Sequence, residues 1–468
     1  MPSIARDAQM NDEPILDADL IRRYGGSVPR YTSYPTALQF TPHFGHDALL
    51  TALARCNEVA APSLYLHVPF CANPCFYCAC TRIITRQAAV IECYVDHLLA
   101  EIALWASHWR GARGVRQLHF GGGTPTTLDD TQFGALMTAL DQGFGFIDDP
   151  AREYSLEIDP RTVDAARLKT LAALGFNRVS FGVQDLDPAV QQAVNREQSK
   201  DLVVAAIDGA RAAGFRSVAV DLIYGLPRQT PESFAETLRQ VAALRPDRVA
   251  VYAYAHMPQQ FAAQRQIRLD ELPDGATRLQ LLERARATYA AAGYRMIGMD
   301  HFALPEDDLA RALDAGTLQR NFQGYSTQAG TDLIGIGVSA ISRIADCYAQ
   351  NSKTLALHAA ALDAGRLPVE RGLHLDADDL LRRELIESVM CRGEIDYDAL
   401  SERYGIDVAD YFGHCATALQ ALADDGLVEL SADRLRVTRR GRPLVRNVAR
   451  IFDRYADQAL TGRHSSAI

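Results

Sequence analysis

Leu64-Tyr65-Leu66-His67-Val68-Pro69-Phe70-Cys71-Ala72-Asn73-Pro74-Cys75-Phe76-Tyr77-Cys78-Ala79-Cys80 joins a strand-like apolar run to four closely spaced cysteines. The chain has nine cysteines in all, so this loop is a marked concentration of soft thiolate ligands. Such ligands suit an iron–sulfur cluster or a zinc ion. Three readings follow from the spacing. A structural zinc site could use all four cysteines, although Cys78 and Cys80 are crowded for a tetrahedral ion and no second Cys-x2-Cys pair occurs. An electron-transfer cluster could also use all four. A Cys-x3-Cys-x2-Cys set could instead hold three irons of a cubic cluster and leave the fourth iron open for chemistry. Tyr77, between two ligands, is placed to pack on a cofactor ring or simply on the loop.

From Leu64 the chain alternates regularly. Strand patterns lie at 64–68, 117–120, 153–158, 178–183, 217–223 and 248–254, with helical patterns near 88–108, 129–141, 164–174, 200–213 and 232–244. This alternation predicts parallel β/α units in one open or closed barrel, with the site at the C-terminal ends of the strands. A further helix is expected at 277–292. The glycine-rich stretch that follows, including 298–303, 321–327 and 333–341, is expected to lid or extend the barrel.

Residues 1–63 read as an N-terminal arm, 64–350 as the barrel with its extension and 351–468 as an accessory domain. In the arm, 17–24 has helical character. Pro29-Arg-Tyr-Thr-Ser-Tyr-Pro-Thr36 has no regular period and predicts an extended strap packed on another surface, with substrate gating as the alternative. The C-terminal part predicts helices at 376–391, 396–404 and 409–425, two short strands within 426–438 and a basic helix at 443–455. That order is winged-helix-like. DNA binding is disfavoured by Glu387, Glu394, Asp396, Asp398, Glu402 and Asp410, which dilute the positive charge.

With 468 residues, 48% hydrophobic and 23% charged, the composition is that of a globular enzyme. A net charge of −10 argues against broad nucleic-acid or anionic-membrane binding. Basic character rests on arginine, the lysines being only Lys169, Lys200 and Lys353. The start lacks an apolar signal core and no apolar run reaches membrane-spanning length. The odd, clustered cysteines do not form a secreted disulfide framework, so the expected compartment is the reducing cytoplasm.

More candidates sit at the strand ends. Gly121-Gly122-Gly123-Thr124-Pro125 allows close backbone approach to a ligand. Glu157 can accept from a ribose diol. Glu157 and Asp159 share a face by alternation, so spacing alone does not choose between them. Gln184, Arg196 and Asp221 are polar groups beside or within apolar strands, each either a satisfied structural group or a ligand contact.

The cysteine loop with Gly-Gly-Gly-Thr-Pro resembles the radical S-adenosylmethionine superfamily. Residues 29–36, Gly182-Val-Gln-Asp185, Val194-Asn-Arg-Glu-Gln198, Asp221-Leu-Ile-Tyr-Gly-Leu-Pro227, Gly298-Met-Asp-His-Phe302 and Asn321-Phe-Gln-Gly-Tyr325 extend the likeness over nearly the whole chain. Together they resemble the family of oxygen-independent coproporphyrinogen III oxidases. The resemblance implies a partial (β/α)6 barrel with an added C-terminal domain. It implies conversion of two propionates of coproporphyrinogen III to vinyl groups with loss of carbon dioxide, on the route to haem.

By the same resemblance Cys71, Cys75 and Cys78 hold a [4Fe-4S] cluster. Its free iron chelates S-adenosylmethionine, which is cleaved to methionine and a 5′-deoxyadenosyl radical. Two S-adenosylmethionine molecules are implied. Tyr65, Gly122, Glu157 and Ile341 match contacts of the first, and Tyr77, Gly123, Thr124, Gln184, Arg196, Asp221 and Ala255 those of the second. Some members have Phe where this chain has Tyr77. Cys80 matches an essential position that is not a ligand. A polyanionic substrate calls for arginines, and Arg30 and Arg320, adjoining matching motifs, are the candidates. An electron donor is required, and a monomer is expected. The competing function is a haem-binding chaperone on the same barrel. Those relatives tend to lack the fourth cysteine and the Pro-Arg-Tyr-Thr-Ser-Tyr segment, both present here.

Overall fold

The computed structural model describes residues 18–456 apart from 57 and 329; Met1–Asp17, at the start of the arm, lies outside that range. Six parallel strands form its centre: β1 (Ser63–Val68), β2 (Gln117–Gly122), β3 (Glu153–Ile158), β4 (Arg178–Gln184), β5 (Ser217–Tyr224) and β6 (Arg248–Ala253). They neighbour one another in sequence order, and helices cross over between them. After the first, Ala88–His108, the crossover helices begin where side chains cap them. Asp129 and Thr230 each make a capping box, and Asp164 and Ser199 accept from the first turn.

The sheet is open, not closed. Beyond β6 come β7 (Arg295–Ile297) and β8 (His301–Ala303), both antiparallel, with β8 next to β6. Beyond β1 the small hairpin β9 (Gln319–Asn321)–β10 (Gly324–Ser326) stands apart. The main sheet continues there as β11 (Leu333–Ile336), parallel to β1, then β12 (Ile341–Ile344), β13 (Cys347–Asn351) and β14 (Val369–His374). The glycine-rich stretch therefore extends the sheet on both flanks. Its strands are three to six residues long and half of them barely alternate, which hides them from periodicity.

Even-numbered residues of β1–β3 face the helices and form the main core. Leu64, Leu66, Leu118, Phe120, Tyr154 and Leu156 are buried there beside Trp105 of the helix Ala88–His108. Phe120, Phe133 and Phe176 pack edge-on or tilted at 5.3–5.7 Å, each pair worth about 0.5–1.5 kcal/mol beyond its buried area. The odd residues, Tyr65, His67, His119, Ser155 and Glu157, look into the hollow of the curved sheet.

The strap is a packing element. Tyr31 and Tyr34 are buried in one apolar cluster with Leu385, Val389, Leu444 and Phe452 of the C-terminal part. Tyr31 donates to Asp453 at 3.0 Å and Arg446 to the Val28 carbonyl at 3.1 Å. The C-terminal part carries β15 (Glu394–Asp396), β16 (Val428–Leu430) and β17 (Arg434–Val437) in a three-stranded antiparallel sheet with β17 central.

Two helical expectations here need correction. The helix expected at 409–425 breaks into Val408–Tyr411, a 3-10 turn at Gly413–Cys415 and Ala416–Asp424. Gly413 is a poor helix former, and the break inserts Phe412 edge-on against Phe452 at 5.4 Å. The basic helix expected at 443–455 spans only Val445–Ile451, because Asp453 turns back to accept the Tyr455 amide at 2.8 Å. Its charge is largely spent internally. Arg446 is buried, and Arg454 pairs with Asp376, Asp378 and Asp379.

Candidate active site

The cysteine loop leaves β1 at the C-terminal mouth of the sheet, and neighbouring segments lash it down. Arg82 donates to the carbonyls of Cys78 and Cys75 at 3.0 and 3.1 Å. Asn195 donates to the Pro74 carbonyl at 2.7 Å, and the Phe76 amide to the Val194 carbonyl at 2.9 Å. Buried Gln264 donates to the carbonyls of both Tyr77 and Ala255 at 3.0 and 3.1 Å.

The thiols differ chemically. Burial pushes the Cys71 thiol up to about 11, with Cys78 and Cys75 adding to the rise, and Thr124 Oγ1 lies 3.4 Å from its sulfur. A hydrogen bond from the Cys80 thiol, opposed by burial and helped by Arg82, brings the Cys78 thiol down to about 6. The Cys80 amide also donates to the Cys78 sulfur at 3.4 Å. Both polar groups of Cys80 thus serve Cys78, a role the sequence alone does not reveal.

The glycine run is shaped by its neighbours. Gly122 has φ +114°, and a Cβ there would meet the His67 ring at 2.7–2.9 Å. A Cβ at Gly121 would lie 2.9 Å from Glu157 Oε1. The Gly123 amide returns to β1 at the Val68 carbonyl, 2.8 Å away.

Glu157 accepts from the Gly122 amide at 3.1 Å and meets His119 Nε2 at 3.1 Å. Burial opposes its ionisation, yet His119 and that amide outweigh burial and hold the carboxyl below its ordinary value. His67 Nε2 faces the Thr81 carbonyl at 2.9 Å, so that nitrogen carries the proton. His67 Nδ1 then accepts from the Tyr65 hydroxyl at 3.0 Å. Tyr65 also stacks on His119 at 5.8 Å. His67 and His119 escaped the sequence reading, although their odd positions beside Tyr65 and Gly121 mark them as inward-facing.

Asp159 shares the face of Glu157 but does a different job. Arg161 and Arg196 both bind it, Arg196 Nη1 at 2.6 Å. Arg196 also reaches Cys75 Sγ at 3.7 Å and the Gly182 carbonyl at 2.8 Å, so one guanidinium joins the cysteine loop to β3 and β4. Tyr77 packs beside Val190, Val194 and Tyr254. Gln184 ends β4 at φ +69°, where the register with β5 shifts. Asp221 accepts from Ser180 at 2.9 Å, and burial with the nearby Glu157 charge lifts its carboxyl to about 6. Ile341 backs onto Gly335, the β11 partner of Tyr65. The structure therefore gathers the candidate residues around one mouth. Arg30 and Arg320 lie to one side, sharing Asp300 at 3.0 and 3.9 Å.

Residues 65–241 match the family model described as the radical SAM superfamily, and 375–444 the one described as the HemN C-terminal domain. The oxygen-independent coproporphyrinogen III oxidase of Pseudomonas aeruginosa is 48% identical over 453 residues, 97% of this chain and 98% of that protein. The chain belongs to the family of oxygen-independent coproporphyrinogen III oxidases. The family member from Escherichia coli K12 is 48% identical over 442 residues, covering 94% and 96%. The solved structure of the Escherichia coli coproporphyrinogen III oxidase, described as a radical SAM enzyme, superposes with a TM-score of 0.88 at 46% identity. That match covers 94% of this chain and 99% of the other.

Members of this family use a [4Fe-4S] cluster and S-adenosylmethionine, and the donor set here fits them. Among the described residues no three His, Cys, Asp or Glu side chains are grouped to hold one metal ion. The thiols of Cys71, Cys75 and Cys78 sit around one short loop, Cys78 and Cys75 close enough to raise the Cys71 thiol, and three soft thiolates suit an iron–sulfur core. The wall opposite offers a carboxylate, three glycines and an arginine-held second carboxylate, which suit an amino acid and a ribose.

Proposed function

We infer that the protein performs the oxygen-independent oxidative decarboxylation of two propionate side chains of coproporphyrinogen III to vinyl groups, giving protoporphyrinogen IX for haem synthesis. The observation that carries this reading is the single mouth at which a three-thiol loop, the glycine run and the carboxylates Glu157 and Asp221 converge. When bound, the cluster and S-adenosylmethionine supply one-electron cleavage to a 5′-deoxyadenosyl radical that takes hydrogen from a propionate carbon.

Cys71, Cys75 and Cys78 are the proposed cluster ligands, and Cys80 fixes Cys78 without binding iron. Tyr65, Gly122, Glu157 and Ile341 hold the first S-adenosylmethionine, Glu157 offering its carboxylate to a ribose diol. Tyr77, Gly123, Thr124, Gln184, Arg196, Asp221 and Ala255 hold a second molecule. Arg196 keeps its positive charge despite burial, its ion pair with Asp159 offsetting the loss of water. Arg30 and Arg320 receive substrate carboxylates. An arm (1–63), a catalytic part (64–350) and a C-terminal part (351–468) are the proposed functional divisions. The protein works as a cytoplasmic monomer fed by a separate electron donor. Among the described residues no helix is long and apolar enough to cross a membrane.

The test is anaerobic reconstitution with iron and sulfide, then reductant, S-adenosylmethionine and coproporphyrinogen III. The expected products are 5′-deoxyadenosine and, after oxidation, protoporphyrin. Tight haem binding with no decarboxylation would overturn the reading in favour of a chaperone.

A further inference from the structure

Three arginines from three separate stretches close on one small cavity away from the cysteine mouth. Arg320 comes from β9, Arg343 from β12 and Arg383 from the helix Ala377–Arg392, and Ser33 of the strap closes one side. The space is about 20 Å³, enough for a small polar group and too small for a ring. Half-exposed Thr32 and Phe322 stand on its rim.

The charges lining it do not balance. Glu387 is the one carboxylate in the lining, against three guanidiniums. Its Oε1 is already engaged by the Arg320 amide at 3.0 Å. Arg343 spends one nitrogen on the Thr331 carbonyl. The Arg320 side chain is only 4% exposed; its guanidinium lies over the Tyr325 ring and 3.9 Å from Asp300. Even so, Arg320 Nε and Nη1 and Arg383 Nη1 are buried without a hydrogen-bond partner. Buried N–H groups and charges are normally paired, so the cavity has the donors and the charge of an anion site.

We propose that this cavity is a carboxylate subsite for the tip of one tetrapyrrole propionate, with the macrocycle outside against Thr32 and Phe322. This rests on the function inferred above. The subsite shares no residue with the cysteine mouth, so the propionate it clamps is one that is retained during the turnover. Guanidiniums hold the carboxylate ionised and oriented while another propionate reaches the radical. A free inorganic anion could satisfy the same donors, and the experiment separates the two sources.

Reconstituted holoenzyme is titrated with coproporphyrin III, the unreactive oxidised tetracarboxylate, in chloride-free buffer. Its tetramethyl ester serves as the uncharged control. Arg383→Gln and Arg343→Gln are each expected to weaken coproporphyrin III at least tenfold and to leave the ester unchanged, with Arg383→Lys recovering part of the loss. Arg383→Lys is expected to melt at the wild-type temperature, which separates lost binding from lost folding. Equal affinity for coproporphyrin III in all four proteins overturns the subsite. So does chloride or acetate that raises the wild-type melting temperature, but not that of Arg383→Gln, without displacing the porphyrin. A holoenzyme that binds coproporphyrin III through these arginines yet makes no vinyl product would overturn the catalytic reading and leave the subsite standing.

Discussion

The side-chain amide of Gln264 donates to the carbonyl of Tyr77, 187 residues earlier in the chain, at 3.0 Å. The same nitrogen holds Ala255, and its Oε1 accepts the Met257 amide at 2.5 Å. One buried side chain thereby fixes the cysteine loop to the end of β6. Gln264→Leu leaves two part-buried carbonyls and an amide unpaired, a loss of about 1–3 kcal/mol for each group that water cannot reach. The expected outcome is a lower melting temperature with iron still bound and S-adenosylmethionine affinity reduced. Unchanged affinity by equilibrium dialysis would refute the assignment.

Cys71→Ala, Cys75→Ala and Cys78→Ala should each lose most of the iron after reconstitution. Cys80→Ala should keep it, since Cys80 directs both its amide and its thiol at the Cys78 sulfur. Iron and sulfide analysis decides the matter: a Cys80 variant as depleted as the other three makes Cys80 a ligand.

Gly122 has no room for a side chain. At φ +114° an alanine is strained, and its Cβ would press on the His67 ring; such backbone strain costs about 1–3 kcal/mol. Gly122→Ala is expected to bind iron normally and S-adenosylmethionine at least tenfold more weakly, as measured by isothermal titration.

Asp221 makes stability depend on pH. Its folded carboxyl titrates near 6, whereas an unfolded aspartate ionises at about 3.9. Below about pH 4 both states are protonated and the group costs nothing. Between about pH 4 and 6 the unfolded aspartate ionises while the folded carboxyl keeps its proton, so stability falls by about 2–3 kcal/mol and stays lower above pH 6, where the folded state must bury the charge. Asp221→Asn keeps the Ser180 hydrogen bond and removes the charge. The cofactor-free variant should resist urea better than wild type at pH 7.5, with the difference vanishing near pH 4. An equal gain at both values would exclude this origin.

Arg30 and Arg320 hold Asp300 from two sides and, with His301, keep its carboxyl well below the ordinary range despite burial. Arg30, the more exposed of the two, should tolerate Arg30→Ala with the fold intact and a substrate KM raised about tenfold. Full substrate affinity in the doubly substituted protein would remove both from the substrate site.

The six β/α units were legible because apolar strands and helical patterns alternate, and the crossover helices after the first start at Asp, Ser or Thr caps. The flanking strands were not, since three-residue segments such as 295–297 and 319–321 carry no period. The helix break at Phe412 depends on Phe452, forty residues on, and no local pattern announces it. At the site, cysteine spacing and glycines declared themselves. Gln264 did not: it sits in an irregular segment whose only distinction is what it touches. Arg343 and Arg383 were equally silent, because their meeting is a product of tertiary packing.

The buried meeting of Tyr31 with Asp453 and of Val28 with Arg446 also sets an order of events during synthesis. Residues 28–34 leave the ribosome well before the stretch 381–452 that buries them. That stretch therefore settles late. A transcript cut short by a few dozen codons would strip Leu444, Val448 and Phe452 from the cluster around the Tyr31 and Tyr34 rings, far from them in the chain.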